Sequence, residues 1–306
     1  MSEQVESLPV QPAAIDSGKS VTWRNYLELT KPRIVALMIL TSVIGMLLAV
    51  PGLPGWEPLV YGNLGIALLA AAAAVVNHVV DHKIDSVMAR TRKRPVATGK
   101  VSTVDAILFA IVLSCIGMAV LMLKVNHLTA WLTLASLVGY AGVYTMFLKR
   151  LTPQNIVIGG LAGAMPPLLG WVAVTGQVDA NALLLVLIIF AWTPPHFWAL
   201  AIHRKEEYAK AGVPMLPVTH GNRYTELHIV LYTFILLAVS MLPFVTGMSG
   251  GIYLIGALIL GLRFLYFAVR LLIGDDRRVA LNTFKYSITY LMALFVVLLV
   301  DHFVFF

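Results

Sequence analysis

Residues 58–85 read PLVYGNLGIALLAAAAAVVNHVVDHKID. No Asp, Glu, Lys or Arg falls between Pro58 and Val80. A helix of about 20 apolar residues crosses the hydrocarbon core of a bilayer, and this run is long enough. In lipid every backbone N–H and C=O must be paired within the chain, which makes a helix its natural form. The run then acquires three oxygen-bearing side chains, Asn77, Asp81 and Asp85, spaced four apart. Four residues advance a helix by about 400°, so all three project from one face within about 80°. Polar groups that begin inside an apolar span point to function.

The apolar pattern repeats along the chain. Of 306 residues, 59% are hydrophobic and 12% charged, where a soluble domain carries about 25% charged. Nine spans are expected, at 33–50, 58–80, 104–123, 128–148, 156–175, 181–202, 226–246, 252–272 and 284–304. The expected fold is therefore an all-α integral membrane protein with nine transmembrane helices. Residues 1–22 are polar, lack the apolar core of a signal peptide and read as a disordered cytoplasmic tail. Residues 23–306 read as a single transmembrane domain. Pro51, Gly52, Pro54 and Gly55 mark a turn between the first two spans, and Gly247, Gly250 and Gly251 mark another. The single cysteine, Cys115, lies inside a span, so neither a disulfide framework nor a thiol metal site can be built.

The formal charge of +7 follows from topology. Of 22 Lys and Arg, 20 lie in the N-terminal segment, in the loops after spans two, four, six and eight, or at the helix ends beside them. Lys124 lies on the opposite side and Arg263 within a span. This bias places the N-terminus and those loops in the cytoplasm, and residues 301–306 outside. No nucleic-acid partner is needed to explain the charge.

Hard divalent cations such as Mg²⁺ take oxygen ligands, usually one or two carboxylates plus substrate phosphates. Asn77, Asp81 and Asp85 supply that type of donor. Arg90, Arg92, Lys93 and Arg94 follow, and Arg grips phosphate oxygens bidentately. Alone, such a run is an ordinary cytoplasmic loop; beside the acidic triplet it reads as an anion clamp. Lys149 and Arg150 offer a second basic pair after Tyr140 and Tyr144. His78 and His82 flank the triplet and read as structural groups on other faces.

The Asn-x-x-x-Asp-x-x-x-Asp pattern, followed by Met88, Arg90, Thr91, Arg94 and Pro95, resembles the UbiA superfamily of intramembrane prenyltransferases. Leu29-Thr30-Lys31-Pro32-Arg33 is similar to the segment that leads into that family's first span. Trp192-Thr193-Pro194-Pro195-His196-Phe197-Trp198-Ala199-Leu200-Ala201-Ile202 looks like a signature of its sixth. It continues through Glu207-Tyr208 and Ala211-Gly212-Val213-Pro214-Met215-Leu216-Pro217-Val218. Many members carry a second Asp-rich motif in the loop after span six. Here residues 203–225 contain no Asp, a departure that favours the heme-farnesylating branch, with Glu207 preferred over Glu206.

The resemblance implies transfer of a farnesyl group from farnesyl diphosphate to a vinyl group of heme b, in a bacterial-type inner membrane. It implies Mg²⁺ on Asn77, Asp81 and Asp85, with Arg90, Arg94, Lys149 and Arg150 on the diphosphate. Tyr144 and Trp198 are candidates for an aromatic wall around the allylic cation, and Tyr208 stands beside Glu207. His196, after two prolines that break the helical ladder, can ligate heme iron, hydrogen-bond a propionate, act as a base, or simply bond freed carbonyls. His203 is a candidate heme contact or a solvated helix end. Arg263, deep in span eight, is expected either to face the cavity and hold a heme propionate or to pair with helix carbonyls. Handover of the product to heme A synthase or a terminal oxidase is implied as well. The alternatives are a quinone or other aromatic acceptor and, in a different class, a secondary transporter. The latter is disfavoured because its charges would sit at the membrane midplane.

Overall fold

The computed structural model describes residues 21–88, 91–148, 151–274 and 277–305. Those residues are almost entirely helical. Among the described residues, eight helices are long and apolar enough to span a membrane, or nine if one bent pair is counted as a single span. The bent pair is α1 (Trp23–Leu29) and α2 (Pro32–Leu48), which meet at 50°. The others are α3 (Pro58–Val87), α4 (Thr103–Lys124), α5 (His127–Val138, then a π-helical stretch Gly139–Leu148), α6 (Asn155–Ala164) with α7 (Pro166–Thr175), and α8 (Ala180–His203). Two short helices, α9 (Lys205–Lys210) and α10 (Leu216–Thr219), precede α11 (Asn222–Val245), α12 (Gly251–Ile273) and α13 (Arg277–Phe305).

Local chemistry sets these boundaries. Ser102 accepts from the Asp105 N–H at 3.0 Å, Asn126 from Thr129 at 2.8 Å and Asp179 from Asn181 at 2.7 Å, capping α4, α5 and α8. Pro32 opens α2 where no intrahelical N–H is needed. Lys31 before it has φ 50°, the only positive φ at a described residue other than glycine. Left-handed backbone costs a side-chain-bearing residue about 1–2 kcal/mol, so the bend must be held by contacts elsewhere.

α8 is the central helix and touches α6, α7, α11 and α13. α3 pairs with α4, α11 with α12, and α12 with α13, while α13 returns to α2. The tightest crossing joins α2 to α7. A Cβ on Gly45 would meet the Pro167 carbonyl, and one on Gly170 would meet the Ser42 carbonyl. Small residues let membrane helices approach backbone to backbone, where dispersion replaces the missing hydrophobic drive. On the side away from α9, Asp301 is fully buried and accepts from the Gly250 and Tyr253 N–H groups, capping α12 across from α13.

One expected boundary moves. The second span does not end at residue 80: α3 runs on to Val87, because Asp81 and Asp85 have partners and need no solvent. Pro194 and Pro195 remove two N–H donors from the ladder, yet α8 stays helical from Ala180 to His203. The loop after span six contains α9 and α10. The tail expectation for 1–22 falls, for residues 1–20, outside the described residues.

Replacing Gly170 by Val should lower the unfolding midpoint in detergent by the equivalent of about 1–3 kcal/mol or more. Gly163→Ala, with open space around the added methyl, should leave it unchanged or raised.

Candidate active site

Asn77, Asp81 and Asp85 lie on α3 and are 5%, 2% and 4% exposed. Burial of two carboxylates is costly unless they are paired and hydrogen-bonded. Arg94 Nη1 lies 2.9 Å from Asp85 Oδ1 and 2.7 Å from Oδ2, so one nitrogen straddles both oxygens. Thr91 fixes that loop by donating to the Asp85 carbonyl at 3.2 Å. Lys31 donates to Asn77 Oδ1, and Asn77 Nδ2 donates to Asp81 Oδ2 at 2.8 Å. Asn77 thus links a cation to a carboxylate. Lys31, in the segment that leads into the first span, reaches the site through the αL bend, which a sequence pattern does not reveal.

The π-helical stretch of α5 brings in two tyrosines. Their rings are 5.6 Å apart, and both are near enough to Asp81 to feel its charge. The Thr145 hydroxyl donates to the Tyr140 carbonyl five residues back at 2.8 Å, tying the side chain to the π-helical turn. Tyr144 lies flat on Gly159 of α6, where a Cβ would collide with its ring. Tyr208 of α9 is electrostatically within reach of Tyr144. The next glycine, Gly160, seats Thr193 of α8. Two adjacent glycines therefore let α6 wedge between the Tyr144 and His196 sides.

His196 is 7% exposed. Its ring stacks between Trp192, at 4.1 Å, and Phe284, at 4.6 Å, with Phe197 edge-on. Nδ1 lies 2.6 Å from Ser287 Oγ. The Ser287 hydroxyl donates its one proton to the Phe284 carbonyl at 2.6 Å, so it accepts from His196 Nδ1–H. That network assigns the lone pair to Nε2. Trp192 Nε1 donates to the Ser287 carbonyl at 2.7 Å, fixing the stack. Bonding to carbonyls freed by the prolines is not what holds His196.

Other expected residues are placed differently. Trp198 is fully buried on the opposite side of α8, with its ring edge-on to Tyr232 and His228 of α11, so it shares no wall with His196. Arg263 is exposed on the outer face of α12 over Tyr286, 5.2 Å from the ring, rather than facing an interior cavity. His203 is exposed. Glu207 lies 4.0 Å from Arg204, the residue that caps the start of its helix. Arg90, Lys149 and Arg150 lie outside the described residues. His78 departs most from its structural reading. It follows Asn77 on the buried side of α3, is 2% exposed, and neither ring nitrogen has a hydrogen-bond partner among the described residues.

The donor set fits a hard divalent cation as a partial shell. Among the described residues no group of three His, Cys, Asp or Glu is close enough to enclose a metal. Mg²⁺ normally takes one or two carboxylates and leaves its remaining positions to water and phosphate oxygens. Asp81 and Asp85 suit a cation that arrives with a phosphate-bearing substrate. A surface cleft of about 310 Å³ lies elsewhere, between Lys83 and Val87 of α3 and Lys210 to Val213, and contains none of this chemistry.

Arg94→Gln should destabilise the protein by about 3–5 kcal/mol, because Asp85 is left charged, buried and without its guanidinium. The double variant Arg94→Gln with Asp85→Asn should recover most of that loss in thermal unfolding.

The profile of the UbiA prenyltransferase family matches residues 38–299. The chain is 81% identical over 301 residues to a protoheme IX farnesyltransferase of Marinobacter nauticus, covering 98% of this chain and 99% of that one. Its fold is similar to that of a digeranylgeranylglyceryl phosphate synthase, at 20% identity and a TM-score of 0.79, covering 92% of this chain and 98% of the other. It is also similar to a UbiA homolog from Archaeoglobus fulgidus bound to GPP and Mg²⁺, at 17% identity and a TM-score of 0.61, covering 90% and 99%.

Proposed function

The chain belongs to the UbiA prenyltransferase family, and we propose on that premise that it transfers a farnesyl group from farnesyl diphosphate to a vinyl group of heme b. The observation that carries the donor half is the buried acidic face of α3, bracketed by Lys31 and Arg94. Identity to the Marinobacter nauticus relative carries the acceptor half.

The donor diphosphate approaches the α3 face, where Lys31 and Arg94 offset its charge. A divalent cation held there by Asp81 and Asp85, taken as Mg²⁺, would act as a Lewis acid on the diphosphate. Arg94 keeps Asp85 in place until substrate arrives and then has phosphate oxygens as further acceptors. The allylic C–O bond breaks with both electrons going to the diphosphate. Tyr140 and Tyr144 form the adjoining wall, whose aromatic faces stabilise the farnesyl cation. Helices around the wall keep water away from it. The terminal vinyl carbon of heme b supplies the electron pair for the new C–C bond. Water then adds to the neighbouring carbon and loses a proton, giving the hydroxyethylfarnesyl group of heme O.

His196 acts on the acceptor. Its Nε2 lone pair and the Trp192–His196–Phe284 stack suit a flat macrocycle with a central iron, and Ser287 sets the tautomer. The basic-loop bias supports a cytoplasmic donor site in an inner membrane. Product then passes to heme A synthase or a terminal oxidase.

Purified protein in lipid with heme b, farnesyl diphosphate and Mg²⁺ should yield heme O by mass. Prenylation of a quinone precursor but not of heme b would overturn the acceptor assignment. Asp81→Ala should abolish turnover while the protein still inserts. Ser287→Ala should lower turnover about 10- to 100-fold, as loss of an orienting partner does, while leaving affinity for a farnesyl diphosphate analogue unchanged.

A further inference from the structure

The His78 ring is buried with both nitrogens unpartnered among the described residues. A neutral imidazole carries one N–H donor and one lone pair. Burying both without a partner costs their full desolvation. An apolar side chain like those of Ala74 and Val75 would fill the position without that cost. Its location supplies a reason for the histidine. Asp85 lies seven residues on, about 700° around the helix, so the two side chains leave α3 within about 20° of each other. Asp81, three residues on, is about 60° away. The ring is also near enough to both Lys31 and Arg94 to feel their charge. Lys31 holds Asn77, and Arg94 holds Asp85. The imidazole therefore lies on the acidic face beside Asp85, within the field of both cations, and about one turn deeper in the membrane than Asp81.

We propose that His78 is a catalytic residue that donates a ring N–H hydrogen bond to the diphosphate of the prenyl donor, at the oxygen bonded to the allylic carbon. This rests on the donor reading above. An anion drawn in by Lys31 and Arg94 meets the His78 N–H on its membrane side, which is the side where the prenyl chain begins. As the C–O bond breaks, both electrons remain on that oxygen and the hydrogen bond to it strengthens. No proton moves and no further reactant is needed. A neutral donor suits this place, since a third cation would be repelled by the other two whenever the donor is absent.

His78→Leu separates this role from a packing role. Without ligand its unfolding midpoint should equal or exceed that of the wild type, because an unsatisfied imidazole has been removed. Its kcat should fall about 100-fold, with a smaller change in KM. The midpoint increase produced by farnesyl thiodiphosphate with Mg²⁺ should shrink. His78→Gln, which restores an N–H donor, should regain most of the lost kcat. The proposal is overturned if His78→Leu keeps normal kcat. It is equally overturned if His78→Leu is less stable without ligand and His78→Gln rescues nothing. A wild-type protein that shows no midpoint increase with farnesyl thiodiphosphate and Mg²⁺ overturns the donor reading itself.

Discussion

Two carboxylates buried at the end of a membrane helix must be neutralised by groups the chain can deliver to the same depth. That requirement organises the first third of the protein. Arg94 comes back from the loop after α3 to straddle Asp85. Lys31 comes from the junction of α1 and α2, and reaches Asn77 only because the backbone turns left-handed there. The 50° bend between those helices is the geometric consequence. Strain at Lys31 is compensated by an electrostatic contact in a low-dielectric setting, where such contacts are stronger than in water.

The site has two parts of different character. One is a charged cradle made by α3 and its flanking segments. The other is an aromatic stack on α8, with Trp192 and His196 tied to Ser287 of α13. Between them stands α6, whose Gly159 and Gly160 accept Tyr144 on one side and Thr193 on the other. An alanine at either position would push the two parts away from each other. This division matches a reaction that must ionise a hydrophilic leaving group and then exclude water from the cation it leaves behind.

Much of this is legible in the sequence, for a physical reason. Spans are set by composition over about 20 residues, and the acidic face by a strict four-residue spacing. Both are local properties. What the sequence hides depends on which neighbour a helix face meets. Trp198 and His196 are two residues apart, about 200° around α8, so they serve different interfaces. Arg263 has the depth inferred for it but lies on the outer face of α12. His78 looks like a flanking residue when judged against Asn77, yet seven-residue spacing aligns it with Asp85. The π-helical turn in α5 shifts the phase of Tyr140 and Tyr144, and no residue pattern in 139–148 announces it.

The position of α13 in the chain has a consequence for biogenesis. It follows every other described helix, yet it holds His196 through Ser287, returns to α2 and caps α12 through Asp301. During synthesis the charged cradle, complete by Thr91 and Arg94, can therefore form early. The stacked imidazole cannot, because its anchor has not yet been made. A nascent chain stopped before residue 287 would carry a donor-binding surface without an oriented His196. Insertion of one late helix thus acts as the step that couples the two halves.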